Sequence, residues 1–189
     1  MSDDLRCMLR EGTRDLHQAL DRRMGEFMKW GEAGYGRFLE DHARVLPAVE
    51  SALSRSQLPG ALGDWPSRTR TESLRLDLAS LGRAMPDAAP FQEPASFHVG
   101  VGMLYTLEGS RLGGAWLLRE VERRLPTCTR ATRFLKHGLA ERHWTGFLRW
   151  MEEIPADPRD RDHAVEGARA VFQAYLAVLD RRLPSPAAC

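Results

Sequence analysis

Between His98 and Trp116 the chain reads HVGVGMLYTLEGSRLGGAW, a run with apolar residues at helical spacing that nevertheless holds five glycines. A glycine inside a helix costs roughly 0.5–1 kcal/mol relative to alanine, through backbone entropy and lost packing. Either this run is not a helix, or something must approach its backbone more closely than a side chain allows. GVG at 100–102 has no third glycine and follows no strand pattern, so it does not make a dinucleotide fingerprint. Glycines at 102, 109 and 113 would let a second helix pack closely. On a helical wheel Gly102, Tyr105, Gly109, Gly113 and Trp116 share one face, so the missing side chains would equally open a groove, bordered by aromatics, for a flat ligand.

The rest of the chain has the same helical period and no strand or hairpin pattern, which predicts an all-α fold. At 189 residues and 43% hydrophobic content it supports one domain, expected over 1–183, with a frayed tail over 184–189. Leu5, Leu9, Thr13, Leu16, Leu20 and Met24 form the stripe of a first helix that starts after the capping cluster Ser2-Asp3-Asp4 and ends near Gly25. A second helix is expected over 35–53, kinked at Pro47, then a surface loop over 54–69. A short helix carrying Leu74, Leu78 and Leu81 should stop at Gly82. After the loop MPDAAPFQEP the glycine-rich helix runs to about Arg124, followed by one long helix over 129–153. Asp157-Pro158 then opens the last helix as N-cap and first helical position, with Val165, Ala168, Phe172, Tyr175, Leu176 and Leu179 inward.

Charge and cysteine usage exclude several functions. There are 27 basic and 26 acidic residues, for a net charge of +1, and they are scattered, which argues against nucleic-acid binding. Cys7, Cys128 and Cys189 are widely spaced and suggest neither a disulfide framework nor a zinc site, so a reducing cytoplasm fits. The opening MSDDLRCMLREG lacks the order of a signal peptide, and no apolar run reaches membrane length, since Glu108 and Arg111 interrupt even the glycine stretch. A soluble cytoplasmic protein is expected, with no nucleic-acid or membrane partner.

His17 lies at the edge of the first apolar stripe with Asp21 one turn later. A histidine in such a place is more often a packed or surface residue than a ligand. A carboxylate at i+4, however, can accept from Nδ1 and leave Nε2 free for a metal. The other five histidines form no short ligand motif and read as surface residues, Glu152 and Glu153 read as a solvated face, and the Glu-x-x-His pairs of a di-iron site are absent.

LREGTRDLHQALDRRM near the start and LYTLEGSRLGGAWLLREV in the middle together resemble the haem oxygenase family, in particular its bacterial, bacteriophytochrome-associated branch. Weaker likeness extends through YGRFLEDHARVLPAVESAL and ARAVFQAYLAVLD. The resemblance implies a single helical domain that clamps haem between its first helix and a kinked, glycine-rich distal helix. It implies cleavage of haem to biliverdin, CO and ferrous iron, with O₂ and an external electron donor, a reductase or ferredoxin; a bacteriophytochrome would accept the biliverdin. By the same resemblance His17 matches the proximal iron ligand, Asp21 its orienting carboxylate, and Gly109, Gly113 and Gly114 the distal glycines. Arg10 and Arg149 match propionate partners and Phe172 an apolar contact at the haem edge, although core packing explains Phe172 almost as well. Where several members have a distal Asp after the first glycine, this chain has Ser110, which can hold water but supplies no charge. The competing readings are a haem-sequestering protein on the same scaffold and a helical protein that binds no haem.

Overall fold

The computed structural model describes residues 5–181, which are helical with no strand. The N-terminal capping cluster, Cys189 and the tail over 184–189 lie outside the described residues. The helices are α1 (Leu5–Met24), α2 (Gly31–Ser54), α3 (Leu58–Leu62), α4 (Trp65–Arg68), α5 (Thr71–Ser80), α6 (Phe97–Arg124), α7 (Arg133–Lys136), α8 (His143–Glu152) and α9 (Pro158–Asp180), with 3₁₀ turns over Gly25–Trp30 and Pro126–Ala131.

The two most extensive helix pairings both involve α9, which packs on α6 and on α1. The α6–α9 crossing is closed by glycines from both sides. A Cβ on Gly102 would lie 1.7 Å from the Ala164 carbonyl oxygen, and one on Gly167 would lie 2.0 Å from that of Val99. Thr106 donates its hydroxyl to the Ala168 carbonyl at the same crossing, 3.2 Å away. On the neighbouring face Arg169 of α9 reaches α1, donating to Asp15 at 2.9 Å and to the Gly12 carbonyl at 2.5 Å.

Local side-chain caps start two of the long helices, α6 and α9. Ser96 is extended and its side chain accepts from the Val99 N–H, which starts α6. Asp157 and Asp160 form a reciprocal capping box, with Pro158 at the first position of α9. The Glu50 carboxylate, only 5% exposed, accepts from the Arg70 and Thr71 N–H groups at 2.7 and 3.1 Å and so caps α5 from a distant helix. α2 continues through Pro47.

Two segments depart from the sequence expectation. Residues 54–69 are not a surface loop, because Pro59 and Pro66 each start a helical turn that buries Leu58, Trp65 and Arg68. The single helix expected over 129–153 is three pieces. Gly138 at φ 77° and Arg142 at φ 54° end its helical path. At Gly138 a side chain has no room, since a Cβ would meet the Arg111 guanidinium at 2.6 Å and the His143 ring at 2.5 Å.

Candidate active site

On α1, Asp21 lies 2.9 Å from Nδ1 of His17, and the imidazole remains 60% exposed. A carboxylate oxygen accepts, so Nδ1 is the donor in this pair, and the tautomer it selects is the one whose Nε2 can bind a metal. The ring rests edge-on against Phe172 of α9, with centroids 5.6 Å apart, and Phe172 itself is buried. These three residues therefore form one unit: an exposed imidazole, a carboxylate paired with it and an apolar ring against it.

Along α6 the glycines divide by environment. Gly102 serves helix packing, as shown by its contact with Ala164, whereas a Cβ on Gly113 would meet nothing within 4 Å. Gly109 and Gly114 are intermediate: their nearest neighbours are the Trp144 ring at 3.6 Å and Leu135 at 3.8 Å. The single face drawn on the helical wheel thus separates into a packed end and an open end. Beside Gly113, Leu112 and Trp116 are 57% and 60% exposed. An open backbone between two exposed apolar side chains suits a flat apolar ligand.

Ser110 faces outward above a buried cation. Arg70, 4% exposed, donates Nη2 to the Leu107 carbonyl and to Ser110 Oγ, both at 3.0 Å, while Ser110 donates to the same carbonyl at 2.6 Å. Burial, and then the repulsion of Arg111, holds Arg70 down to about 10, which leaves it charged at neutral pH. Close by, His42 Nδ1 pairs with the Tyr175 hydroxyl at 3.0 Å within a cage of Phe38, Phe134 and Tyr175. Burial and the Arg70 charge push His42 down to about 3, so it is neutral.

The histidines expected on the surface are largely built in. His42 is caged, His143 is 6% exposed with Nε2 on the Ser67 carbonyl at 3.1 Å, and His137 pairs with Arg111. His98 bridges the Pro155 carbonyl and Asp160. Glu108 and Arg111, which on a helix would ordinarily face water, are 1% and 3% exposed and pair with each other. The two propionate candidates are exposed: Arg10 on α1 lies 3.4 Å from Glu11, and Arg149 stands on α8. Neither contacts the other candidates among the described residues. Arg70, His42 and Glu50 could not be found by motif, because their neighbours come from distant parts of the chain.

Fold and site together define an all-helical protein in which an oriented, exposed imidazole on one helix and a glycine-opened stretch of another share a central supporting helix. The Heme oxygenase family profile matches residues 3–181, and the chain belongs to that family. It is 33% identical over 142 residues to the heme oxygenase of Xanthomonas campestris pv. campestris, covering 73% of this chain and 84% of that protein. It is 28% identical over 128 residues to heme oxygenase PigA of Pseudomonas aeruginosa, covering 61% and 60%. Among solved structures, the heme oxygenase of Neisseria meningitidis, crystallised with NO and CO, superposes with a TM-score of 0.77 at 21% identity over 95% of this chain and 92% of that one. The heme oxygenase of Leptospira interrogans gives 0.65 at 17% identity over 94% and 98%. No helix among the described residues is long and apolar enough to cross a membrane.

Proposed function

We propose that this chain binds haem as substrate through His17 and opens it to biliverdin, CO and ferrous iron. The observation that carries the reading is the His17–Asp21–Phe172 unit, with α1 and α6 both packed on α9, combined with the open Gly113 backbone on α6. Asp21 holds the proton on Nδ1, so Nε2 is presented to the iron and its donor strength is raised. Gly109, Gly113 and Gly114 bring backbone over the opposite face, where a side chain would occupy the volume needed for O₂. Phe172 walls one edge. Arg10, exposed beside Glu11, and exposed Arg149 would meet the propionates as charge-assisted hydrogen-bond donors.

Ser110 replaces the distal carboxylate of other members and works with Arg70. The serine positions a water or an oxygen atom, and the buried guanidinium beneath it donates to Oγ and fixes the hydroxyl's direction, without restoring the negative charge of a carboxylate. The second substrate is O₂. Electrons come from an external donor, a reductase or ferredoxin, and a bacteriophytochrome is the acceptor that the family branch suggests for biliverdin. The site is to be tested by reconstitution with hemin, addition of reductant and O₂, and parallel recording of the Soret band, biliverdin absorption and CO release. Loss of the Soret band with matching biliverdin and CO supports the reading. Stable haem binding without biliverdin would make the chain a haem-sequestering protein, and no binding would refute the site altogether.

A further inference from the structure

Beneath the distal glycines lies an ion cluster that the haem chemistry does not touch. Glu108, one residue before Gly109, accepts from Arg111 Nε and Nη2 at 2.8 and 2.9 Å, and from Arg68 Nη1 at 3.2 Å. Arg111 also donates to the carbonyls of Arg68 and His137, each at 2.8 Å. Arg68, 5% exposed, is held by both oxygens of Asp64 at 2.6 and 2.8 Å and donates to the His143 carbonyl at 3.0 Å. The Arg111 guanidinium lies 3.2 Å from His137 Nδ1, which must therefore accept. This contact and burial push that imidazole down to about 4 and keep it neutral.

Two arginines and two carboxylates balance in charge, and a buried set of this kind contributes little net stability compared with apolar packing. What it supplies is direction. Apolar contacts tolerate sliding, whereas charge-assisted bonds from two planar guanidinium forks fix position and angle together. The point they fix is the turn at Gly109 and Ser110. There α6 has no side chain to wedge it against Trp144 of α8, and beside it the Gly113 face is open. Gly102 locks the helix to α9 about two turns earlier. Beyond that crossing, Glu108 and Arg111 tie it to α4 and to the segment between α7 and α8.

We infer that Glu108, Arg111 and Arg68 are positioning residues for haem cleavage: they set the height and tilt of the distal glycines over the substrate and hence which meso edge the bound oxygen reaches. This rests on the haem reading above. The test compares the unmodified chain with Glu108→Gln, which keeps shape and removes charge, and with Asp64→Asn, which loosens Arg68 from the cluster's outer edge, where Asp64 is 45% exposed. Each hemin complex is read by the iron–histidine stretch, the C–O stretch of its ferrous CO form, biliverdin isomer composition and melting temperature. In both variants the iron–histidine stretch should stay in place while the C–O stretch shifts or splits. Biliverdin formation should fall about tenfold in Glu108→Gln, as expected for a small misplacement of the reacting groups, and less in Asp64→Asn. A C–O stretch, isomer composition and rate all equal to wild type, whatever the melting temperature, overturn the inference. If Glu108→Gln does not fold, Asp64→Asn decides by the same criteria. Failure of the unmodified chain to bind hemin refutes the haem reading and this inference with it.

Discussion

Replacing Gly113 should stabilise the ligand-free protein and damage its function, because the two effects have different causes. A methyl group at Gly113 meets nothing within 4 Å, so Gly113→Ala adds only the helix propensity of alanine, a gain of roughly 0.5–1 kcal/mol. In a chain of this size about 1 kcal/mol moves the midpoint by roughly 2–4 °C, so the apo melting temperature should rise by about 1–4 °C. Gly113→Leu should also melt no lower than wild type without haem. With haem present its side chain must fill the oxygen site or lift α6 away, and turnover should fall by at least about tenfold. Gly102→Ala is the opposite control. Its Cβ would lie 1.7 Å from one backbone oxygen and 2.9 Å from the Ala168 nitrogen, atoms that cannot turn aside, so α6 and α9 must separate. That overpacking should cost about 1–3 kcal/mol with or without haem. The assay is apo melting and O₂-dependent biliverdin formation on the same preparations. Normal turnover by a stably folded Gly113→Leu protein would refute the close approach of backbone to substrate at this position.

Asp21→Asn should retain hemin but weaken iron–histidine donation, with a loss of about 10–100-fold in affinity or activity; an unchanged iron–histidine stretch would show that Asp21 does not act on the ligand. Arg10→Glu and Arg149→Glu should each lower hemin affinity by placing a like charge beside a propionate, and equal titration curves would leave both as solvated surface charges. Acid should unfold the protein partly through His42 and His137, held down at about 3 and about 4 by burial and by the arginines beside them. The unfolded chain titrates these imidazoles near 6.5 and so binds more protons between those values. Their contribution is therefore complete above about pH 6.5 and is lost as pH falls toward 4, with a slope of at most about 1.4 kcal/mol per pH unit for each. Denaturant melts at pH 7 and pH 5 measure this, and a difference unaffected by His42→Gln would exclude His42.

The sequence alone determined features that depend on neighbours within one helix. The stripe of α1, the Asp157 cap and the stop at Gly82 are local, because hydrogen-bond geometry and the 3.6-residue period act over a few residues. The His17–Asp21 pair was legible for the same reason, as residues at i and i+4 meet on any helix. Tertiary structure decided what the glycines are for. Gly102 and Gly113 look alike on a helical wheel, yet one faces the α9 backbone and the other open space, and nothing within α6 distinguishes them. It also decided the burial of Glu108 and Arg111. Helical spacing shows that they can pair, but only Arg68, brought from a segment that looked like loop, together with the Gly138 turn, makes their burial tolerable. Arg70 and Ser110 lie 40 residues apart, and a contact between them depends on how α6 and the start of α5 pack. Burial of a charge is tolerated only where every donor and acceptor finds a partner, and such partners come from the assembled fold rather than from adjacent sequence.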